Sequence, residues 1–145
     1  MLINVRQIQI EWGDCDPAGI VYFPRYFEYF DAATGALFEK AGLPKLRMLR
    51  EYGIVGIPLV DARARFLMPS TFGDCVSIRS SVSEWGRSSF SVHHELLKAG
   101  VLAAEGFEKR VWTARSPEDP AKLVSKAIPQ SVKDRFQDSS GTILI

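Results

Sequence analysis

The sequence predicts an α+β domain in which an antiparallel sheet covers one long aromatic helix. A period-two strand opens the chain, one stretch of helical period follows it, and the remainder is mostly period-two segments joined by short turns. At 145 residues the chain is close to the commonest size for one domain and can bury a core without staples. We take residues 1–145 as a single domain with a polar tail from about 137 to 145.

From Ile8 to Trp12 the pattern alternates, with Ile8, Ile10 and Trp12 on one side and Gln7, Gln9 and Glu11 on the other. This first strand runs into Gly13-Asp-Cys-Asp-Pro-Ala-Gly19, a turn-forming segment carrying two carboxylates. Phe27, Phe30, Thr34, Leu37, Phe38 and Ala41 then fall at helical spacing on one face, with Pro24 suited to the first turn and Gly42 to the position past the end. Gly35 costs about 1 kcal/mol relative to Ala in mid-helix, which suggests close packing there across a sheet. Asp31 lies about 40° from Phe27 around the helix, on the flank of the apolar stripe.

Three further strands follow from alternation over Val60 to Met68, Val76 to Ser83 and Ser89 to Leu96, and a fourth spans about Leu102 to Thr113. Turn signals at Pro69 to Asp74, Gly86-Arg87 and Lys98-Ala-Gly100 imply short hairpins and an antiparallel sheet. Pro129 to Phe136 reads as a short helix. A single sheet around a helix leaves an edge and an outer face in need of partners, so a homo-oligomer is expected.

Composition excludes several functions. Lys and Arg number 18 against 17 Asp and Glu, and a net charge of +1 does not suit a general nucleic-acid binder. Any anionic ligand must meet a local patch. No apolar run approaches the roughly 20 residues of a spanning helix, and no basic leader precedes an apolar stretch, so no membrane partner is expected. Cys15 and Cys75 supply neither a disulfide framework nor the four ligands of a structural zinc site. A cytoplasmic protein without metal or cofactor is the expectation.

Most catalytic signatures are missing: there is no Gly-x-Ser-x-Gly, no phosphate-cradling loop, no His-Glu-x-x-His and no dinucleotide fingerprint. The two histidines, His93 and His94, are neighbours on a strand and point to opposite faces, so they do not converge on one substrate. The sharper feature is Asp14-Cys-Asp16 before the helix. Asp14 suits a turn or helix cap. Asp16 is carried toward a helix N-terminus, whose free N–H groups can stabilise an oxyanion, and a carboxylate beside such donors suits acyl transfer.

Gly13-Asp-Cys-Asp16-Pro-Ala-Gly-Ile-Val-Tyr-Phe-Pro-Arg-Tyr26, continuing to Phe30-Asp31, resembles the N-terminal signature of the hot-dog-fold acyl-CoA thioesterases of the 4-hydroxybenzoyl-CoA thioesterase type. The likeness extends through Gly53-Ile-Val-Gly56-Ile-Pro58 and Glu84-Trp85-Gly-Arg87-Ser-Ser-Phe90. It implies a sheet of five or six antiparallel strands wrapped around one long helix. It also implies that Asp16 is the catalytic carboxylate, as nucleophile or as general base for water, and that the backbone N–H of Phe23 is the oxyanion donor. Coenzyme A phosphates are expected on the hairpin of Arg87, Ser88 and Ser89, where Gly86 and Ser88 stand in place of basic residues of the aromatic-specific relatives. Arg63, Arg65, Lys109 and Arg110 fit a solvated strand face better than a phosphate site.

For the acyl group, Tyr26, Asp31 and Ile57 are the expected contacts, because the aromatic helix face and Asp31 resemble a pocket for a ring with a polar substituent, with packing of Asp31 against a neighbouring Arg or the backbone as the alternative. Ile57 stands where hydroxybenzoyl-specific relatives carry a hydroxyl. The expectation is therefore an acyl-CoA thioesterase for 4-hydroxybenzoyl-CoA or a benzoyl-CoA-like ester, working at a dimer interface within a dimer of dimers. A thioesterase for short or medium aliphatic acyl groups, a non-catalytic acyl-CoA-binding protein, and a hot-dog dehydratase using a histidine are the alternatives.

Overall fold

The chain begins with β1 (Asn4–Gln9), a 3-10 turn at Trp12–Asp14, the long helix α1 (Pro24–Lys40) and a shorter α2 (Lys45–Tyr52). Strands β2 (Leu59–Phe66), β3 (Cys75–Trp85), β4 (Ser89–Lys98) and β5 (Val101–Val111) follow, then a small ribbon of β6 (Thr113–Arg115) and β7 (Leu123–Ser125), and α3 (Gln130–Asp134). This computed structural model describes residues 1–137; the remainder of the polar tail expected from about 137 to 145 lies outside the described residues.

The five main strands pair antiparallel in the order β1-β3-β4-β5-β2. Helix α1 lies across one face of this sheet, packed on β1, β2, β3 and β4. Its ends form as expected: Pro24 occupies the first turn, and Gly42 takes φ +81° just beyond it. That left-handed residue lets Leu43 N–H reach back to the Phe38 carbonyl at 2.9 Å, closing the helix.

Several expectations need correction. The first strand is shifted toward the N-terminus, because Glu11 N–H donates to Asp14 Oδ2 at 3.0 Å and turns the chain out of the ladder. Trp12 is consequently not a core residue; it is 75% exposed and meets Phe72 edge-on at 5.7 Å. The buried stripe of α1 is Tyr26, Phe30, Ala33, Thr34, Leu37 and Phe38, with Phe27 only half-buried. Gly35 does not approach a sheet, since a Cβ there would meet open space. Helix α2 and strand β7 were not expected at all. Met48 explains α2: it is buried against the C-terminal half of α1, a tertiary anchor beside which Leu49 and Tyr52 pack partly buried.

Two apolar clusters flank the middle of α1. Tyr26, Phe30 and Ala33 pack with Val76, Ile78 and Leu96, while Leu37 and Phe38 pack with Val82, Phe90, Val92 and Trp112. Between them the sheet presents a cross-strand row of Ser80, His94 and Gly106. The Phe30 ring stacks on His94 with centroids 5.0 Å apart and planes 12° apart. Only glycine fits beneath it, because a Cβ on Gly106 would stand 2.6 Å from Phe30 Cδ2 and Cε2. Gly106→Ala is therefore expected to destabilise by about 1–3 kcal/mol through overpacking. Urea unfolding would show a lower midpoint at unchanged slope; an unchanged midpoint would mean that the ring yields freely.

Candidate active site

The loop between β1 and α1 folds back on itself. Tyr22 N–H donates to the Asp14 carbonyl at 2.8 Å, Asp16 N–H to the Ile20 carbonyl at 2.9 Å, and Gly19 N–H to the Asp16 carbonyl at 2.8 Å. The tip is Pro17-Ala-Gly19, where φ of +83° at Gly19 supplies the left-handed turn residue. Asp16 is half-buried, and its Oδ1 accepts the Ala18 N–H at 2.8 Å. Among the described residues Oδ2 has no hydrogen-bond partner, which leaves it available for chemistry. A cavity of about 260 Å³ beside it is lined by Trp12, Cys15, Asp16, Pro17 and Gly19.

The same fold-back delivers the chain to α1. Phe23 is the N-cap, and no described residue accepts its N–H. Because Pro24 follows and has no N–H, the amide of Phe23 is a leading donor at the positive end of a 17-residue helix. Asp14 takes the capping role expected of it, with its carboxylate also 4.0 Å from Arg25 Nε.

Within one chain the expected residues fall into separate concavities. Phe23 and Tyr26 line an apolar groove of about 440 Å³ with Ile20, Phe66, Leu67 and Met68. Tyr26 is buried, its ring 4.9 Å from that of Phe66. Asp31 and Ile57 meet in a third cavity, about 300 Å³, between α1, α2 and the end of β5. Arg87, Ser88 and Ser89 form the β3–β4 hairpin, where Trp112 N–H donates to the Ser88 carbonyl at 2.7 Å and Arg87 is exposed.

Arg110 overturns the solvated-face expectation. Arg63 and Arg65 do lie on the outer sheet face, over Phe107 and against Glu105 respectively, and Lys109 is exposed. The side chain of Arg110 is only 7% exposed and points under α1. Its Nε and Nη2 each reach Glu108 at 3.1 Å, Nη1 reaches the Ile57 carbonyl at 3.0 Å, and Nη2 also reaches Asp31 Oδ1 at 2.8 Å. Glu108 in turn accepts the Thr34 hydroxyl at 2.5 Å and lies 3.3 Å from His94 Nε2. His94 Nδ1 is 2.6 Å from Ser80 Oγ.

Comparison with known proteins places this architecture. Residues 10–136 match the family described as the thioesterase-like superfamily. The chain belongs to that family. Over 91 residues it is 45% identical to a 4-hydroxybenzoyl-CoA thioesterase of Pseudomonas sp. strain CBS-3, an alignment covering 62% of this chain and 64% of that protein. It thus spans just under two thirds of that relative. A solved mutant of 4-hydroxybenzoyl-CoA thioesterase complexed with 4-hydroxybenzoyl-CoA superposes with a TM-score of 0.85 at 33% identity, covering 94% of this chain and 100% of the other. A gentisyl-coenzyme A thioesterase superposes at 0.79 with 36% identity, covering 90% and 99%. The fold is the hot-dog arrangement implied by the N-terminal signature.

In this family member the two histidines behave as their strand positions require: His94 faces the core and His93 faces out, 2.7 Å from Glu105. The partners of His94 are Ser80, Thr34 and Glu108, with Asp16 in a different cavity. No His, Cys, Asp or Glu cluster among the described residues is arranged to hold a metal ion. Sequence reasoning missed Thr34, Glu108 and Arg110 as a polar group, although a signal exists. Ala104, Gly106, Glu108 and Arg110 share one phase of β5, and two small residues in that phase mark it as the covered side. Burial opposes ionisation of Glu108, but His94 and Arg110 outweigh it and hold the carboxyl below its usual range. Burial likewise opposes the charge on Arg110, and Glu108 and Asp31 more than restore it.

Proposed function

We propose that this protein is an acyl-CoA thioesterase that hydrolyses an aromatic acyl-CoA to the free acid and coenzyme A. The observation that carries the reading is the pairing, at the two ends of one short fold-back loop, of an Asp16 carboxylate with an unspent oxygen and a Phe23 amide with an unspent proton. Asp16 either attacks the thioester carbonyl, expelling thiolate to give a mixed anhydride that water then hydrolyses, or draws a proton from water that attacks directly, and in both routes the oxyanion is met by an N–H at the helix start. The coenzyme A thiolate leaves without a strong acid, since a free thiol has a pKa of about 8.5. That matches a site with no histidine in it.

One chain holds these groups in different concavities, so the complete site takes a second copy. Strand β2 supports this: it is a sheet edge whose Val60 and Phe66 are 60% and 50% exposed, an open row for another chain to cover. A dimer of dimers with the acyl group between helix α1 of one copy and its neighbour is the assembly we infer. The exposed Arg87 turn then meets the phosphates of the carrier. Cys15 and Cys75 are both unpaired, which suits the cytoplasm. No helix among the described residues is long and apolar enough to cross a membrane.

The test is thiol release over benzoyl, 4-hydroxybenzoyl, phenylacetyl and straight-chain acyl-CoA esters. The expected result is turnover with the aryl esters at a kcat/KM at least ~10-fold above the straight-chain ones. Faster release from a straight-chain ester would make the enzyme an aliphatic thioesterase, and binding without release would make it a carrier.

A further inference from the structure

Helix α1 buries hydroxyl, imidazole, carboxylate and guanidinium groups where its inner stripe would ordinarily be apolar. Thr34, His94 and Glu108 are 1%, 0% and 6% exposed, and all are paired. Such a group is expensive to assemble, and replacing a buried ion pair by packed apolar residues commonly costs nothing in stability. Stability alone therefore does not account for the group. It is also not isolated: through Arg110 it ends at Asp31 and Ile57, the wall of the 300 Å³ cavity.

Resting on the thioesterase reading above, we propose that Glu108 and Arg110 are positioning residues that set the selectivity of the acyl pocket for a ring bearing a hydroxyl group. Arg110 ties three elements together at one point. Its guanidinium spans Glu108 on β5, the Ile57 carbonyl after α2 and Asp31 on α1. Glu108 holds one edge of that planar fork through two bonds and the Ile57 carbonyl takes Nη1, so the remaining bond, from Nη2 to Asp31 Oδ1, has a fixed direction. Asp31 itself is 64% exposed, and without this bond its side chain would be free to rotate in solvent. Asp31 lines the cavity, and with Oδ1 bonded to Arg110 its Oδ2 is left as the acceptor for a ligand there. A ring hydroxyl donates to it, whereas an unsubstituted ring leaves it unpaired and desolvated. Discrimination of this kind arises because an apolar competitor strands a polar group of the site.

Thiol release from 4-hydroxybenzoyl-CoA and benzoyl-CoA, measured as the ratio of their kcat/KM values, tests the proposal. Wild-type protein is compared with Asp31→Asn, Arg110→Lys, Glu108→Gln and the double variant Asp31→Asn/Arg110→Lys, each checked for a cooperative melt. Arg110→Lys keeps the charge but not the fork. We expect each single variant to lower the ratio by about 10-fold, with the double variant no lower than Asp31→Asn alone, as befits residues acting through one another. A folded variant of Arg110 or Glu108 with the wild-type ratio, or a double variant whose losses multiply, would overturn it. A reading that requires no variant is the Arg110 Nε–H resonance of the wild-type protein. It is expected to move on adding 4-hydroxybenzoate and not benzoate, and identical responses to the two acids would equally overturn the proposal. Absence of thiol release by wild type from both esters would instead refute the aromatic thioesterase reading on which the proposal rests.

Discussion

Asp16→Asn should lower the kcat of thiol release by about 10²–10⁴-fold, the range spanned by loss of a positioned acid–base group, while the protein folds as before. Folding survives because the local duty of Asp16 is modest. Its Oδ1 receives the Ala18 N–H at 2.8 Å, and an asparagine carbonyl oxygen can accept the same bond. What asparagine lacks is the negative charge that makes the other oxygen a base or a nucleophile. The loop geometry is held by backbone bonds at Asp14, Asp16 and Ile20 that the substitution leaves in place. KM should therefore move little compared with kcat. The check is steady-state thiol release together with a thermal melt. Wild-type turnover by a folded Asp16→Asn protein would remove Asp16 from the reaction, and Asp14, already committed to capping the 3-10 turn and facing Arg25, would be a poor substitute.

What could be read from the sequence divides along physical lines. Strands β3 and β4 alternate because one face is buried and the other open, so Val76, Ile78, Val82, Val92 and Leu96 announce their side by period alone. The ends of α1 were equally clear, since Pro24 and Gly42 are there for backbone reasons local to the chain. The loop that carries Asp16 to Phe23 is readable as a contiguous motif, because only a few residues join them. Arg110 and Glu108 were not, because what buries them is distant in sequence: Thr34 is 74 residues from Glu108, and Asp31 is 79 from Arg110. A charged residue on a strand is ordinarily a solvated one, and only the helix lying across it makes Arg110 interior. Helix α2 escaped for a similar reason. Its eight residues hold one buried anchor, Met48, too few to set a period.

The largest stability effect should come from Glu108→Ala, at about 3–5 kcal/mol, the usual consequence of breaking a buried pair from one side. Removing this carboxylate takes away two of the four bonds of Arg110 and leaves its 7% exposed guanidinium with Asp31 and one carbonyl. It also strips the acceptor from the Thr34 hydroxyl and the neighbour from His94 Nε2. Part of this loss depends on pH, with a definite sign. The folded-state pKa of Glu108 lies below its ordinary value, so ionisation favours the folded state. That contribution is complete above the unfolded glutamate value, about 4.3, and is lost as pH falls through the lower folded value. The stability gap between wild type and Glu108→Ala, from urea unfolding, should thus be widest near neutrality and narrow below about pH 4. It should not close, because the packing lost with the side chain does not titrate. A gap constant down to about pH 3 would mean that Glu108 titrates alike in the folded and unfolded chain, and a gap that widened on acidification would mean that it enters the core without its charge. The double replacement Glu108→Met/Arg110→Leu should recover most of the loss by removing the stranded guanidinium as well, while discarding the fork that holds Asp31.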